Sequence, residues 1–190
     1  MAAHLTEPLR EDLLVRWSES HRKHHNVEHL HELLDAVQSL ADDGLSFDRE
    51  AVELAAWFHD AIYEIGRDDN ENRSADLARE LLASSPVRDE VARLVLVTKA
   101  HDVTGDDVNA AVLSDADLSV LGATPARYQR YAAAVREEHR AVADDVFKPA
   151  RARMLAELLD GTIFHTAPGR DRWEAQARRN VTAEITALIS

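Results

Sequence analysis

The chain has 190 residues, 22 basic and 35 acidic side chains, a formal net charge of −13, 45% hydrophobic residues, 10 His and no Cys. This length is enough for one domain with a sizeable core, and the ordinary hydrophobic content argues against disorder despite the charge. Without Cys, disulfide scaffolds, thiolate zinc sites and Cys nucleophiles are excluded, and the negative balance argues against extended nucleic acid or an anionic membrane as partner. The N-terminal residues have neither the basic segment nor the apolar core of a signal peptide, and no apolar run approaches the ~20 residues of a membrane span, so a cytoplasmic protein is expected.

Gly and Pro are scarce (6 and 5) and Ala is abundant, which favours helix over hairpins. In chain order, Val27, Leu30, Leu33, Leu34, Val37, Leu40 and Ala41 form a helical stripe that Asp42-Asp43-Gly44 ends. A second helix starts after Ser46 or Asp48 and runs to about Tyr63; it is apolar nearly all round, as a buried central helix should be. Residues 66–72 read as a loop and 73–83 as an amphipathic helix. Ser85-Pro86 opens a helix to about His101. A loop over 102–107 precedes a short helix across 112–121, which Gly122 to Pro125 break before a long Ala-rich helix. Pro149, Gly161 and Pro168-Gly169 mark later joints, and the last helix covers about 170–189. The expectation is a single compact all-α domain over 1–190, with a core at about 20–122 and C-terminal helices at about 125–190 packed on it.

Five of the ten His lie between His21 and His31. On a helix, His25 and His29 are one turn apart and share a stripe with Leu33 and Val37, leaning toward the core, while His24, Glu28, His31 and Asp35 fall on the polar side. Two half-buried, locally bonded histidines would explain the pair. So would an inverted-zincin pattern, His25-x-x-Glu28-His29, with Glu28 as base. His59-Asp60 interrupts an otherwise apolar helix, and burying an ionised carboxylate costs several kcal/mol unless it is paired or on a metal. Asp117, one turn from both Leu113 and Leu121, points inward; Asp115 lies on a more mixed face. A divalent ion held by His29, His59, Asp60 and Asp117 neutralises these inward acids, and imidazole with carboxylate suits Mn, Fe, Co, Ni or Zn better than Mg or Ca.

The order His29, His59-Asp60, Asp117 resembles the H…HD…D signature of the HD-domain superfamily of metal-dependent phosphohydrolases. The likeness extends through Trp17-Ser18-Glu19, Arg22 to His29, Ala56 to Tyr63, Asn70 to Ala75, Thr98 to His101, Asp115 to Gly122 and Trp173 to Asn180. It therefore covers about residues 10–187, and it is strongest to a small bacterial branch distantly like the cyclic-nucleotide phosphodiesterases. Trp17, His24 and His139 stand where that branch has Tyr.

The resemblance implies an HD-domain/phosphodiesterase-like helical fold and hydrolysis of a phosphomonoester or phosphodiester of a small molecule, such as a nucleotide, by metal-activated water. By the same resemblance His29 is a metal ligand, His25 a general acid, Asp117 is selected over Asp115, and Asp60 or Asp117 orients the water. Arg73, Lys99 and His101 are candidates for holding the phosphate, since an anionic substrate needs local positive charge in so acidic a protein. His101 is also a candidate ligand for a second ion, and with no other His between Asp60 and Asp117 the expectation is one tightly bound metal, with Mg as a weaker second ion. His4, His21, His24, His31, His139 and His165 are left as surface or structural residues. The alternatives are a catalytically weak nucleotide-binding sensor or scaffold, the metallopeptidase and a metal oxygenase; exposed Ala and Leu are compatible with a homodimer.

Overall fold

The computed structural model describes residues 4–190, and every regular element among them is helical. Helix α1 (Glu7–Trp17) buries Leu13 and Trp17. Helix α2 (Val27–Asp42) begins on Asn26, whose side chain accepts from the backbone N–H groups of Glu28 and His29, relieving two of the donors a helix start leaves unpaired. Its buried face is His29, Leu30, Leu33, Ala36, Val37 and Leu40, the stripe expected from periodicity. Helix α3 (Arg49–Phe58), capped by Asp48, is the central element: Ala51, Val52, Leu54, Ala55, Ala56, Trp57 and Phe58 are all buried. Each fully buried Leu or Phe there contributes about 1.5–3 kcal/mol.

Helices α4 (Asn70–Leu81), α5 (Arg88–Val97) and α6 (Val108–Asp117) complete the first layer of packing, with α4 against α5 and α3 between α2, α5 and α6. A 3-10 turn, Leu118–Gly122, leads to α7 (Pro125–Glu138) and α8 (Asp144–Asp160). Helical turns at Ala167–Gly169 and a π-type turn at Arg170–Glu174 run directly into α9 (Ala175–Ile189). The buried residues form two clusters, one from α1–α6 and one from the 3-10 turn, α7, α8 and α9, and Trp173 packs against both. Gly122 is the point of closest approach: a Cβ there would lie 2.5 Å from Trp173 Cβ, so no larger residue fits without a shift. Asn180 fastens the same junction by donating to the Leu121 and Ala123 carbonyls at 2.8 Å each.

Several boundaries differ from those read from the sequence. The central helix stops at Phe58, with His59 as its C-cap, rather than at Tyr63. Helix α4 starts at Asn70, three residues early, and α5 ends at Val97 before turns that reach His101. The expected helix over 112–121 is α6 plus the 3-10 turn. Pro149 is no joint, because α8 runs through it; it lies on an exposed stretch, where water can satisfy the carbonyl that loses its N–H partner. Helix α1 lies in a stretch for which periodicity gives no helix.

Candidate metal centre and cavity

His59 and Asp60 leave α3 at its C-terminal end. The buried Arg22 guanidinium fixes them there, donating to Asp60 O at 2.7 Å, Ala61 O at 3.4 Å and His25 O at 3.1 Å. It also pairs with Glu19 at 3.0 Å and lies over the Trp17 and Tyr63 rings. A cation at a helix C-terminus is favourable, and here it also satisfies three carbonyls in buried or half-buried places. Beyond it, Ser74 Oγ accepts from Ile62 N–H and Asn70 bonds both the N–H and the C=O of Glu64. The 59–64 turn is therefore held by side chains from other elements.

The His59 ring donates Nδ1–H to Ala56 O at 2.8 Å, which leaves Nε2 as the nitrogen turned toward the neighbouring acids. That atom is buried and has no hydrogen-bond partner, although Asp60 Oδ2 is 3.3 Å away and Asp117 Oδ1 3.6 Å. His29 Nε2 approaches the same Asp117 oxygen at 3.0 Å. His29, His59 and Asp117 offer donor atoms all within 4.8 Å of one another, a group that could hold a metal ion, with Asp60 at its border. A His whose far nitrogen is fixed by a backbone carbonyl and whose near nitrogen lacks a partner is oriented as metal-ligating histidines are.

The electrostatics follow from crowding. Burial disfavours charge on His59, but the Asp60 and Asp117 carboxylates outweigh it and raise the imidazole to about 9. Burial likewise opposes ionisation of Asp60 and Asp117, but the His59 charge beside each holds both carboxyls well below the usual range. Two carboxylates directed at one buried point need positive charge there, whether proton or metal.

His25 is not on α2, because the helix starts two residues later. It nonetheless reaches the site from the preceding turn, stacked on Tyr63 with ring centroids 4.3 Å apart. Its Nδ1 donates to Glu138 Oε2 at 2.8 Å, and the Tyr63 hydroxyl donates to the same oxygen at 3.1 Å. Glu138 Oε1 accepts from the N–H groups of Lys23, His24 and His25 at 2.7, 2.8 and 3.1 Å. Burial works against both charges, yet the bond to Glu138 raises His25 above its ordinary value and the bond to His25 lowers Glu138 to about 2. Sequence reasoning missed Glu138, which the α7 stripe carries as an acid among apolar neighbours.

A cavity of about 330 Å³ opens on this cluster, lined by His24, His25, His29, His59, Asp60 and Asp117 among others. Lys99 and His101 line it as well. Lys99 donates to Asp68 O, while His101 stands between Ser114 Oγ at 3.1 Å and Asp117 Oδ2 at 3.5 Å. His101 is the one non-glycine residue with positive φ (52°) among those described, a conformation that costs on the order of 1 kcal/mol and recurs at functional sites. Burial keeps its imidazole below the ordinary value, with Asp117 partly offsetting.

Two candidates, Arg73 and Glu28, fall away from the cavity, and Asp115 stays out of it as expected. Arg73 pairs with Glu64 at 2.6 Å and is not in the lining. Glu28 is exposed and absent from the lining, so the His25-x-x-Glu28-His29 pattern has no base at the cluster. Asp115 is buried, but its oxygens accept from His165 N–H, Thr166 N–H and Thr166 Oγ–H at 2.6, 2.8 and 2.7 Å; it ties α6 to the 163–169 loop. Conversely, His24 is not on a polar face: it is buried and lines the cavity, and burial, with His29 and His25 crowded beside it, holds its imidazole well below the ordinary value. His139 and Glu71 also join the lining. No helix among the described residues is long and apolar enough to cross a membrane. No family model matches the chain, and no curated protein or solved structure matches it.

Proposed function

We propose that this protein is a metal-dependent phosphohydrolase acting on a phosphate ester of a small molecule. The observation that carries this reading is the orphaned His59 Nε2, directed at Asp117 and His29 at the foot of a cavity whose rim carries the His25–Glu138 pair. His29, His59 and Asp117, with Asp60 beside them, would hold a transition metal such as Mn, Fe, Co, Ni or Zn, since this donor set mixes imidazole and carboxylate. A bound ion would supply an acidified water and neutralise phosphoryl oxygens.

The chain's own residues then have distinct tasks. Asp60 Oδ2 borders the cluster at 3.3 Å from His59 Nε2 and accepts a proton from, or orients, the attacking water. His25, which its bond to Glu138 raises above the ordinary imidazole value, gives a proton to the departing alkoxide, which is the step that limits esters of ordinary alcohols. Lys99 at the rim supplies positive charge to an arriving anion. Tyr63 flanks the His25 ring and, through Glu138, fixes its plane.

The test is elemental analysis of the purified protein, joined to a phosphate-release screen over mono- and diesters with Mn²⁺, Co²⁺, Ni²⁺ and Mg²⁺. Bound metal near one equivalent and metal-dependent release, both lost in Asp117→Ala, support the reading. Full activity in Asp117→Ala would sink it.

A further inference from the structure

The cavity carries a second built feature besides the metal cluster. His29, His24, Tyr131 and Arg151 all line it and follow one another in contact. The His29 and His24 ring centroids are 4.6 Å apart, those of His24 and Tyr131 4.6 Å, and the Arg151 guanidinium carbon lies 5.3 Å from the Tyr131 centroid. The Arg151 side chain comes from α8 and is 8% exposed. It donates Nε–H to Glu184 Oε1 at 2.9 Å, and Nη2–H to the Tyr131 hydroxyl at 3.0 Å and Glu184 Oε2 at 3.5 Å. The Tyr128 hydroxyl donates to Glu184 Oε2 in turn, so the acid behind the guanidinium is itself fixed. Two donors here are unspent. Arg151 Nη1 bonds no group among the described residues and keeps accessible surface. The Tyr131 hydroxyl accepts from Arg151 and donates to no described residue.

Fastening α8 to α9 does not by itself account for this arrangement. Replacing a buried ion pair by apolar residues is often neutral or stabilising, and Leu155, Phe164 and Val181 already pack in the same cluster. A guanidinium with a carboxylate on one edge and a free edge at a cavity has the form of an anion-binding Arg. The acid locks the fork in one plane, so little further order is lost when a ligand binds. Among the described residues Arg151 pairs with Glu184 and with no acid of the metal cluster. Lys99 is the only other Lys or Arg in the described lining.

We propose that Arg151, with Tyr131, is a subsite for a second acidic group on the substrate, so that the preferred phosphate ester carries a carboxylate or a further phosphate on a short apolar spacer. The proposal rests on the phosphohydrolase reading above and adds a selectivity to it. The phosphoryl group lies at the metal cluster, and the second anion accepts from Arg151 Nη1 and the Tyr131 hydroxyl. Leu118, Val135, Met154 and Leu158, also in the lining, offer hydrocarbon to the spacer. The volume of about 330 Å³ is at the small end of ligand sites and suits one compact ester. A site built to bond a polar group discriminates against an analogue that leaves its donors unmet.

The probes are three series matched in chain length: ω-carboxyalkyl phosphates, alkanediyl bisphosphates and n-alkyl phosphates, each assayed with Mn²⁺-loaded protein. At one spacer length or more, kcat/KM for an acid-bearing ester should exceed that of its alkyl match about tenfold or more, chiefly through KM. Whichever acid gains most names the group. Tyr131→Phe should cut that ratio several-fold. Arg151→Met paired with Glu184→Met, which leaves neither charge without its partner, should bring it to about one. Metal content and melting temperature of each variant separate a lost subsite from a disturbed cluster. Alkyl phosphates turned over as well as their acid-bearing matches at every length overturn the proposal, as does a ratio that survives the double substitution. Should the double variant not fold, Tyr131→Phe and Arg151→Lys decide, and an unchanged ratio in both overturns it. If no ester releases phosphate, the phosphohydrolase reading fails and binding decides the subsite. Calorimetry should then find an acid-bearing ester bound about tenfold more tightly than its alkyl match, a difference that the variants lose; equal affinities overturn it.

Discussion

His25 donates its Nδ1 proton to Glu138 Oε2 at 2.8 Å, a bond between residues 113 positions apart in the chain. The same carboxylate collects three backbone N–H groups from the turn that carries His25. Ring orientation, turn conformation and protonation of His25 therefore all depend on one acid at the end of α7.

Glu138→Gln keeps the shape of the side chain and removes its charge, so His25 loses the partner that raises it. The expected result is a fall in kcat of about 10²-fold on alkyl esters. The loss should be smaller on esters with good leaving groups, which need no proton. The alkaline limb of the pH–rate profile moves to lower pH, because a less basic His25 deprotonates sooner. Glu138, lowered from 4.5 to about 2, stabilises the native state above pH about 4.5 and loses that effect as pH falls toward 2. His25, raised above 6.5, contributes below about 6.5 and loses its effect as pH climbs through the raised value. Urea titrations at pH 3, 5.5 and 8 should find the wild-type advantage over Glu138→Gln largest at 5.5. An advantage independent of pH would contradict the coupling.

Arg22→Met leaves the Asp60, Ala61 and His25 carbonyls without their donor. Three acceptors, one buried and two half-buried, losing one cation should cost on the order of 2–4 kcal/mol, read as a lower urea midpoint. Arg22→Lys should recover little, since an ammonium cannot span the fork that the guanidinium makes while covering Trp17 and Tyr63. Full recovery by Lys would reduce Arg22 to a simple point charge.

Much of this arrangement was legible in the sequence, and the misses share one cause. The α2 stripe, the buried α3 and the inward aim of Asp117 follow from period alone. The end of α3 does not: no Gly or Pro follows Phe58 for seven residues, and the turn is imposed by Arg22, Ser74 and Asn70 from elsewhere in the chain. Extending the α2 helix backward puts His24 on a polar face, whereas the Asn26 cap starts the helix after it. Glu138 gave a signal that was available, an acid on the Tyr128, Tyr131, Val135 face, but its partner lies over a hundred positions away. Asp115 and Asp117 differ by two positions, and only the 163–169 loop decides which one it captures.

That capture makes the two acids separable. Asp115→Ala should lower stability by on the order of 3 kcal/mol, because three donors lose their acceptor in a buried place, while bound metal per folded molecule is unchanged. Asp117→Ala should do the reverse, leaving a folded protein that elutes without metal. Thermal melts paired with elemental analysis check both. Loss of metal in Asp115→Ala with no loss of stability would assign the acids the other way round.

Metal affinity should depend on pH in a direction set by His59. Without metal, the Asp60 and Asp117 carboxylates raise its imidazole to about 9, so at neutral pH a proton occupies the nitrogen that a metal would need. Binding must displace that proton, and the apparent affinity for Mn²⁺ should rise by about tenfold per pH unit up to about 9, then level. Calorimetry at pH 7 in two buffers of different ionisation enthalpy should report about one proton released per ion. Ligand binding to the native state alone also raises stability, by about 2.7 kcal/mol when free metal is a hundredfold above Kd, so the melting temperature should climb with added Mn²⁺ more at pH 8 than at pH 6. His59→Ala removes both the proton and the ligand, and it should abolish the pH dependence together with the stabilisation. An affinity that is flat between pH 6 and 8 in the wild type would mean that His59 is neutral in the metal-free protein and that the acids are neutralised by another route.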